Sequence, residues 1–334
     1  MQTFSDVALR LDAAREVDRI ADAIRRTIFG TMRRRGAVLG LSGGIDSSVC
    51  AALCVRALGA DRVTALLMPE ADSAPETTDL GEMVAKALGI RTVLEDITSI
   101  LEAVGCYTRR DAAIREVVPR YTAACRSKIA LPNTLETDAY RVFSVVVQFP
   151  DGTQTRERLT RDAYLGILAA TNFKQRVRKM MEYHYADRLQ YAVVGTPNRL
   201  EYDQGFFVKL GDGAADLKPI AHLYKSQVYQ LAEYLDIPAA IRERPPTTDT
   251  YSLSQTQEEF YFSVPLETLD LCLYGLNHGV PAKAVAATVG LQTAQVERIY
   301  NDITAKRKVA EYLHAPPVLV EDVPADGNVQ HAES

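Results

Sequence analysis

Between residues 36 and 96 the chain alternates short apolar runs with amphipathic stretches in a regular rhythm. Residues 36–41 and 63–68 are mostly apolar runs of strand length, and 91–96 is a third, centred on Thr-Val-Leu. Between them, 49–58 and 77–88 carry helical spacing, the second closed by Gly89 as a C-terminal stop. The same signs return downstream, with a helix rich in Arg and Lys over 173–189 and a strand over 191–195. Ahead of them, residues 5–29 place Val7, Leu11, Ala14, Val17, Ile20, Ile24 and Ile28 on one stripe with charges opposite, which predicts one long amphipathic helix. Strands separated by helices predict an α/β fold: a Rossmann-like, doubly wound, mostly parallel sheet with helices on both faces.

Residues 105–170 break this rhythm. Within them, 140–149 and 154–160 flank Asp151-Gly152, a hairpin turn signal. The expected organisation is a single domain over 1–315 with an inserted β-hairpin segment at about 105–170. A disordered tail is expected over 316–334, where Pro, Asp and Glu accumulate.

Composition narrows the partners. The 334 residues, 47% of them hydrophobic, suffice for a sizeable core. A net charge of −5 leaves no basic footprint for nucleic acid, and no run approaches the length of a membrane span. The five cysteines form no C-x-x-C pair, and the first fifteen residues lack an apolar signal region. Reduced thiols in a cytoplasmic protein are the expectation, with Cys50 and Cys54 packed in the core. The five histidines lack metal-ligand spacing.

The chemistry begins at residues 38–48, V-L-G-L-S-G-G-I-D-S-S. A strand here runs through a Ser-Gly-Gly turn into a helix N-terminus, where unpaired backbone N–H groups make an anion site. Gly43 and Gly44 let the backbone come close to that anion. Ser42, Ser47 and Ser48 add hydroxyls, and Asp46 can hold a divalent metal beside phosphates. No Lys follows Gly44, so this is not a Walker loop. S-G-G-x-D-S resembles instead the pyrophosphate loop of enzymes that split ATP between its α and β phosphates. A second polar, turn-rich stretch, residues 194–225, contains G-F-F-V-K-L-G-D-G-A-A-D-L-K-P.

Together the two stretches resemble the ammonia-dependent NAD synthetases, ligases that form a C–N bond by adenylating the nicotinate carboxylate of deamido-NAD. The resemblance covers about residues 5–100 and 170–310. It implies that Gly40, Leu41, Ser42, Gly43, Gly44, Ile45, Asp46 and Ser47 hold the ATP phosphates, with Thr196, Lys225 and Thr247 as further ATP contacts. Asp46 and Glu201 would be Mg²⁺ ligands, and Asp46 and Lys225 the residues closest to the chemistry. Arg176, in Asn172-Phe173-Lys174-Gln175-Arg176, would contact the dinucleotide, as would Lys209, Asp216 and Lys306. The resemblance also implies a homodimer and ammonia that arrives free or from a separate glutaminase.

Three features depart from the family pattern; one is the C-terminal His-Lys that contacts substrate phosphate, which reads Ala305-Lys306 here. The segment before Asn172 is longer by about thirty residues and carries the hairpin signal. After Thr247 the acidic pair survives as Glu258-Glu259, but the Leu-Gly that normally follows is missing. All three bear on the acid substrate, so a related adenylating ligase for another carboxylate is the alternative reading. A tRNA-modifying pyrophosphatase would need a basic face or redox cysteines. A non-catalytic nucleotide binder would not need to keep both Asp46 and Glu201.

Overall fold

The computed structural model describes residues 4–131, 143–247, 250–321 and 323. In chain order its elements are α1 (Ala13–Arg25), β1 (Ala37–Gly40), α2 (Ile45–Leu58), β2 (Val63–Leu67), α3 (Glu76–Leu88), β3 (Arg91–Leu94), α4 (Thr98–Ala103) and α5 (Cys106–Arg115). They continue with β4 (Arg126–Ala130), β5 (Ser144–Gln148), β6 (Gln154–Arg158), α6 (Arg161–Leu189), β7 (Ala192–Val193), α7 (Arg199–Gln204) and α8 (Lys225–Tyr234). The chain closes with α9 (Ala239–Arg242), α10 (Leu266–Asn277), α11 (Ala282–Val289) and α12 (Thr293–His314).

Four strands form a parallel sheet in the order β3-β2-β1-β7. Side chains alternate between its faces, as the strand period of two requires. Ala37, Leu39, Val63, Ala65, Leu67, Ala192 and Val194 pack in one core with Val17, Ile20 and Ile24 of α1 and Val49 and Leu53 of α2. Val38, Leu66 and Val193 pack on the opposite face with Leu101 of α4, Cys106 of α5 and Val177 and Ala186 of α6. The predicted fold is therefore present, with helices on both faces. A third core joins α10, α11 and α12 around Leu269, Leu273, Val285 and Ile299. Among the described residues no helix is long and apolar enough to cross a membrane.

Three expectations need correction. Residues 5–29 do not form one helix: a 3-10 turn, Asp6–Leu9, precedes α1, and a π turn, Arg26–Thr31, follows it. The break comes at Asp12, whose side chain accepts from the Arg15 backbone N–H and starts a new helix. Val7 and Ala14 consequently face solvent, and Leu9 turns inward instead. The basic helix expected at 173–189 starts at Arg161, where the Thr160 hydroxyl accepts from the Ala163 N–H. At 29 residues it is about 43 Å long. The insertion holds a three-stranded antiparallel sheet, β4-β5-β6, rather than a lone hairpin. The hairpin turn itself falls at Asp151-Gly152, with Gly152 at φ +84° and the Asp151 carboxylate accepting from Thr153. Strand β4 was missed because only Ser127, Ile129 and Ala130 of its five residues are fully buried.

Residues 140–142 of the expected hairpin strand lie outside the described residues. So do residue 322 and residues 324–334 of the expected tail, while 316–321 adopt no helix or strand.

Candidate active site

The strands β1, β2 and β7 all end on the same side of the sheet, and a cavity of about 950 Å³ opens there. Ligands in open α/β sheets bind beyond the carboxyl ends of the strands. The cavity is lined by Ser42 to Ser47, Thr196, Glu201, Lys225 and Thr247 on one side and by Arg176, Lys209 and Lys306 on another.

The loop after β1 is shaped by its own polar groups. Gly43 sits at φ +68°, and a Cβ there would lie 2.6 Å from Leu80 Cβ. Ser48 Oγ and Ser47 Oγ donate to the Gly44 carbonyl at 2.8 and 3.1 Å. Ser48 is fully buried, so its hydroxyl braces the loop rather than facing a ligand, contrary to its expected role. Helix α2 starts with Gly44 at its N-cap, and no side chain caps it. Its first N–H groups are thus left for an anion in the cavity.

Asp46, in the first turn of α2, is held from two sides. Lys225 Nζ forms an ion pair with Asp46 Oδ2, and Asn198 Nδ2 donates to Asp46 Oδ1 at 3.0 Å. Asn198 is also the N-cap of α7: its Oδ1 accepts from the backbone of Leu200 and Glu201, and Glu201 Oε2 accepts from the Asn198 N–H at 3.1 Å. Glu201 Oε1 accepts from Gln257 Nε2 at 2.9 Å. Burial, reinforced by the neighbouring Asp46 charge, pushes the Glu201 carboxyl up to about 8. Burial works against the Lys225 ammonium, but Asp46 and Glu201 outweigh it and hold its pKa above the ordinary lysine value. Two carboxylates and one ammonium thus share a desolvated corner beside a helix N-terminus.

The ammonium has its own support. The Asp270 carboxylate of α10 accepts from the backbone N–H of Lys225 at 3.1 Å and of Ser226 at 2.7 Å, which fixes the start of α8. Asp270 is fully buried, and burial pushes its pKa up to about 6.

The remaining sequence-derived residues divide. Arg176, Lys209 and Lys306 reach the cavity wall, with Lys306 Nζ also donating to the Tyr261 carbonyl and pairing with Asp302. Gly40 and Leu41 do not line it. A Cβ on Gly40 would lie 3.0 Å from Glu182 Oε1, so this glycine allows close packing beneath the loop. Asp216 does not line it either: its carboxylate accepts from the Val193 backbone at 2.8 Å and from Tyr183 Oη at 3.3 Å, anchoring β7. Asp212, in the same Gly-Asp-Gly turn region, lines the cavity instead. The sequence assigned no role to Asn198, Gln257, Asp270 or Asp212. Only Asn198 had a local signal, the Asn-x-x-Glu capping spacing before Leu200.

A family model described as NAD synthase matches residues 16–133 and 154–311, which takes in every element that lines this corner. The chain belongs to the NAD synthase family. It is 59% identical over 319 residues to the NH(3)-dependent NAD(+) synthetase of Rhizobium rhizogenes, covering 96% of each chain. It is 37% identical over 246 residues to the NH(3)-dependent NAD(+) synthetase of Thermotoga neapolitana, covering 73% of this chain and 78% of that one. Among solved structures, the NMN synthetase of Francisella tularensis aligns with a TM-score of 0.63 at 22% identity, over 93% of this chain and 99% of that one. The NH3-dependent NAD synthetase of Campylobacter jejuni aligns at 0.60 and 22%, over 93% and 100%. These two likenesses establish the NAD synthase fold. The gap in the family match, 134–153, falls within the inserted sheet and takes in β5.

Proposed function

We infer that this chain catalyses the ATP-dependent amidation of deamido-NAD by ammonia, giving NAD, AMP and pyrophosphate. The observation that carries the reading is the Asp46–Lys225–Asn198–Glu201 corner set against the uncapped N-terminus of α2.

A carboxylate is too poor an electrophile for ammonia. One of its oxygens attacks the α-phosphorus of ATP, the bond to the β,γ-pyrophosphate breaks, and an acyl adenylate forms. Ammonia then adds through nitrogen to the acyl carbon, sheds one proton, and expels AMP by breaking the carbon–oxygen bond. Little acid–base work is required; positioning and charge stabilisation dominate. The Ser42–Ser47 loop and the α2 N–H groups cradle the departing pyrophosphate, and Lys225 places a positive charge beside it. Thr196 and Thr247 contact ATP in this scheme. Arg176, Lys209 and Lys306 supply cations toward the phosphates of the dinucleotide acid.

Mg²⁺ is part of the proposal. Among the described residues no group of three or more protein ligands is gathered, but this ion uses one or two carboxylates and completes its shell with phosphates and water. Asp46 and Glu201, which both line the cavity beside the start of α2, offer that donor set. Bound there, the ion would offset the triphosphate charge. The homodimer implied by the family resemblance is likewise proposed; sedimentation of the isolated protein tests it.

The Rhizobium relative aligns over 96% of its own length and of this chain's, so the insertion is common to both. The insertion therefore does not signal a different acid. The decisive assay incubates the protein with ATP, Mg²⁺, ammonium and deamido-NAD. Formation of NAD with equimolar AMP supports the function; absence of NAD despite a folded protein contradicts it.

A further inference from the structure

The inserted sheet and the segment after Thr247 are two of the places where the sequence leaves the family pattern, and in the structure they are joined. Strand β4 is the edge of its sheet, paired with β5 on one side only. Residues 250–259 run along its other side. Ser127 N–H donates to Ser252 Oγ at 2.9 Å, and Leu253 N–H donates back to the Ser127 carbonyl at 3.2 Å. Arg126 Nε donates to the Ser252 carbonyl at 2.7 Å, and Gln255 Nε2 donates to the Ile129 carbonyl at 2.5 Å. Lys128 Nζ pairs with Glu259 at 2.7 Å. Tyr251, 4% exposed, is buried in the insertion's own core with Ile129, Val145 and Val147.

The other end of this strap is fixed from the main body. Lys174, 1% exposed on α6, donates to the Thr250 carbonyl at 2.8 Å while pairing with Glu70 and Asp72 at 2.9 and 2.7 Å. The strap then turns Gln257 toward the cavity, where its amide holds Glu201. The acidic pair Glu258-Glu259 faces elsewhere: Glu258 accepts from the Leu266 N–H, and Glu259 takes Lys128.

We propose that the inserted sheet is a positioning device for the amidation reaction: by fastening residues 250–259 along β4 it sets Gln257, and through Gln257 it sets the Glu201 carboxylate. Gln257, Gln255, Ser252 and Lys128 are positioning residues, since each acts through Glu201. The proposal rests on the amide-forming ligase reading above. An edge strand would otherwise be left with unpaired backbone groups; here the strap covers it. Groups that orient a ligating carboxylate typically change activity about ten- to hundredfold when removed.

The test loosens the strap without touching the cavity. In Lys128→Met combined with Ser252→Ala, amide hydrogen exchange over 250–259 should rise by about tenfold or more while β1 amides keep wild-type protection. The kcat should fall about tenfold, with KM for ATP within about twofold of wild type. The charge swap Lys128→Glu with Glu259→Lys should restore both exchange and kcat relative to Lys128→Glu alone. If the double variant does not fold, Glu259→Gln is read the same way. Faster exchange with unchanged kcat overturns the proposal, because the strap is then a passive cover. Reduced kcat with unchanged exchange, or no change in either, overturns it too. The exchange readout needs no substrate. A wild-type protein that makes no NAD refutes the functional reading, whereas wild-type NAD formation with any of the three patterns above refutes this proposal alone.

Discussion

The side-chain amide of Asn198 donates to Asp46 at 3.0 Å while its oxygen accepts from the Glu201 backbone at 3.2 Å, so one buried residue sets the relative position of both carboxylates. Asn198→Ala removes a helix cap and this tether together. The cap alone is worth about 1 kcal/mol. The loss of tether should lower kcat about ten- to hundredfold. Asn198→Ser separates the two effects: its hydroxyl can cap α7 but leaves Asp46 without this donor, so stability should recover in part in urea unfolding while kcat stays low.

Lys225 is buried against Asp46 and has no solvent to replace its charge. Removing one partner of a buried pair costs about 3–5 kcal/mol because the other charge is stranded. Lys225→Met should therefore destabilise the chain, and Lys225→Met with Asp46→Asn should be less destabilised than the single variant. Turnover should fall by about a hundredfold or more in both, as for loss of a charge-stabilising donor. Thermal unfolding and pyrophosphate release measure the two effects separately. Turnover in the double variant close to wild type would contradict the role assigned to the pair.

The Ser-Gly-Gly loop admits no side chain at its left-handed position. Gly43→Ala adds about 1 kcal/mol of backbone strain and a Cβ 2.6 Å from Leu80 Cβ. The expected result is a raised KM for ATP with the far-ultraviolet spectrum unchanged. Gly152→Ala, also at positive φ but with nothing within 4 Å, should leave KM as it was.

Much of this site was legible in the chain because it is local. The run from Val38 to Ser48 encodes strand, loop and helix start within eleven residues, and the strand alternation of two sheet faces follows from short apolar runs. The capping spacing from Asn198 to Glu201 was equally local and was overlooked. What stayed hidden is held by long-range contacts. Asp270 reaches Lys225 across 45 positions, Gln257 reaches Glu201 across 56, and Ser252 reaches Ser127 across 125. No periodicity records such pairs. Asp216 was misplaced for the same reason: a Gly-Asp-Gly-x-x-Asp stretch does not say which carboxylate turns inward, and the Val193 backbone takes Asp216.

Asp270 makes stability depend on pH with a definite sign. Burial raises its folded pKa to about 6, above the ordinary carboxyl value near 4. The folded state therefore binds the proton more tightly, and this contribution to stability is full below about pH 4 and lost as pH rises through about 6. The shift corresponds to on the order of 2–3 kcal/mol. Urea unfolding at pH 4.5 and 7.5 should show wild type losing stability relative to Asp270→Asn as pH rises. A difference that does not change with pH would contradict the assignment.

Transfer of oxygen tests the adenylation most directly. Deamido-NAD labelled with ¹⁸O in both carboxylate oxygens is turned over with ATP, Mg²⁺ and ammonium, and the products are weighed by mass spectrometry. Attack of the carboxylate on the α-phosphorus predicts one labelled oxygen in each AMP, one retained in the NAD amide, and none in pyrophosphate. Label in a phosphate derived from the β or γ position, or unlabelled AMP, would contradict an acyl adenylate formed at Asp46, Lys225 and the Ser-Gly-Gly loop.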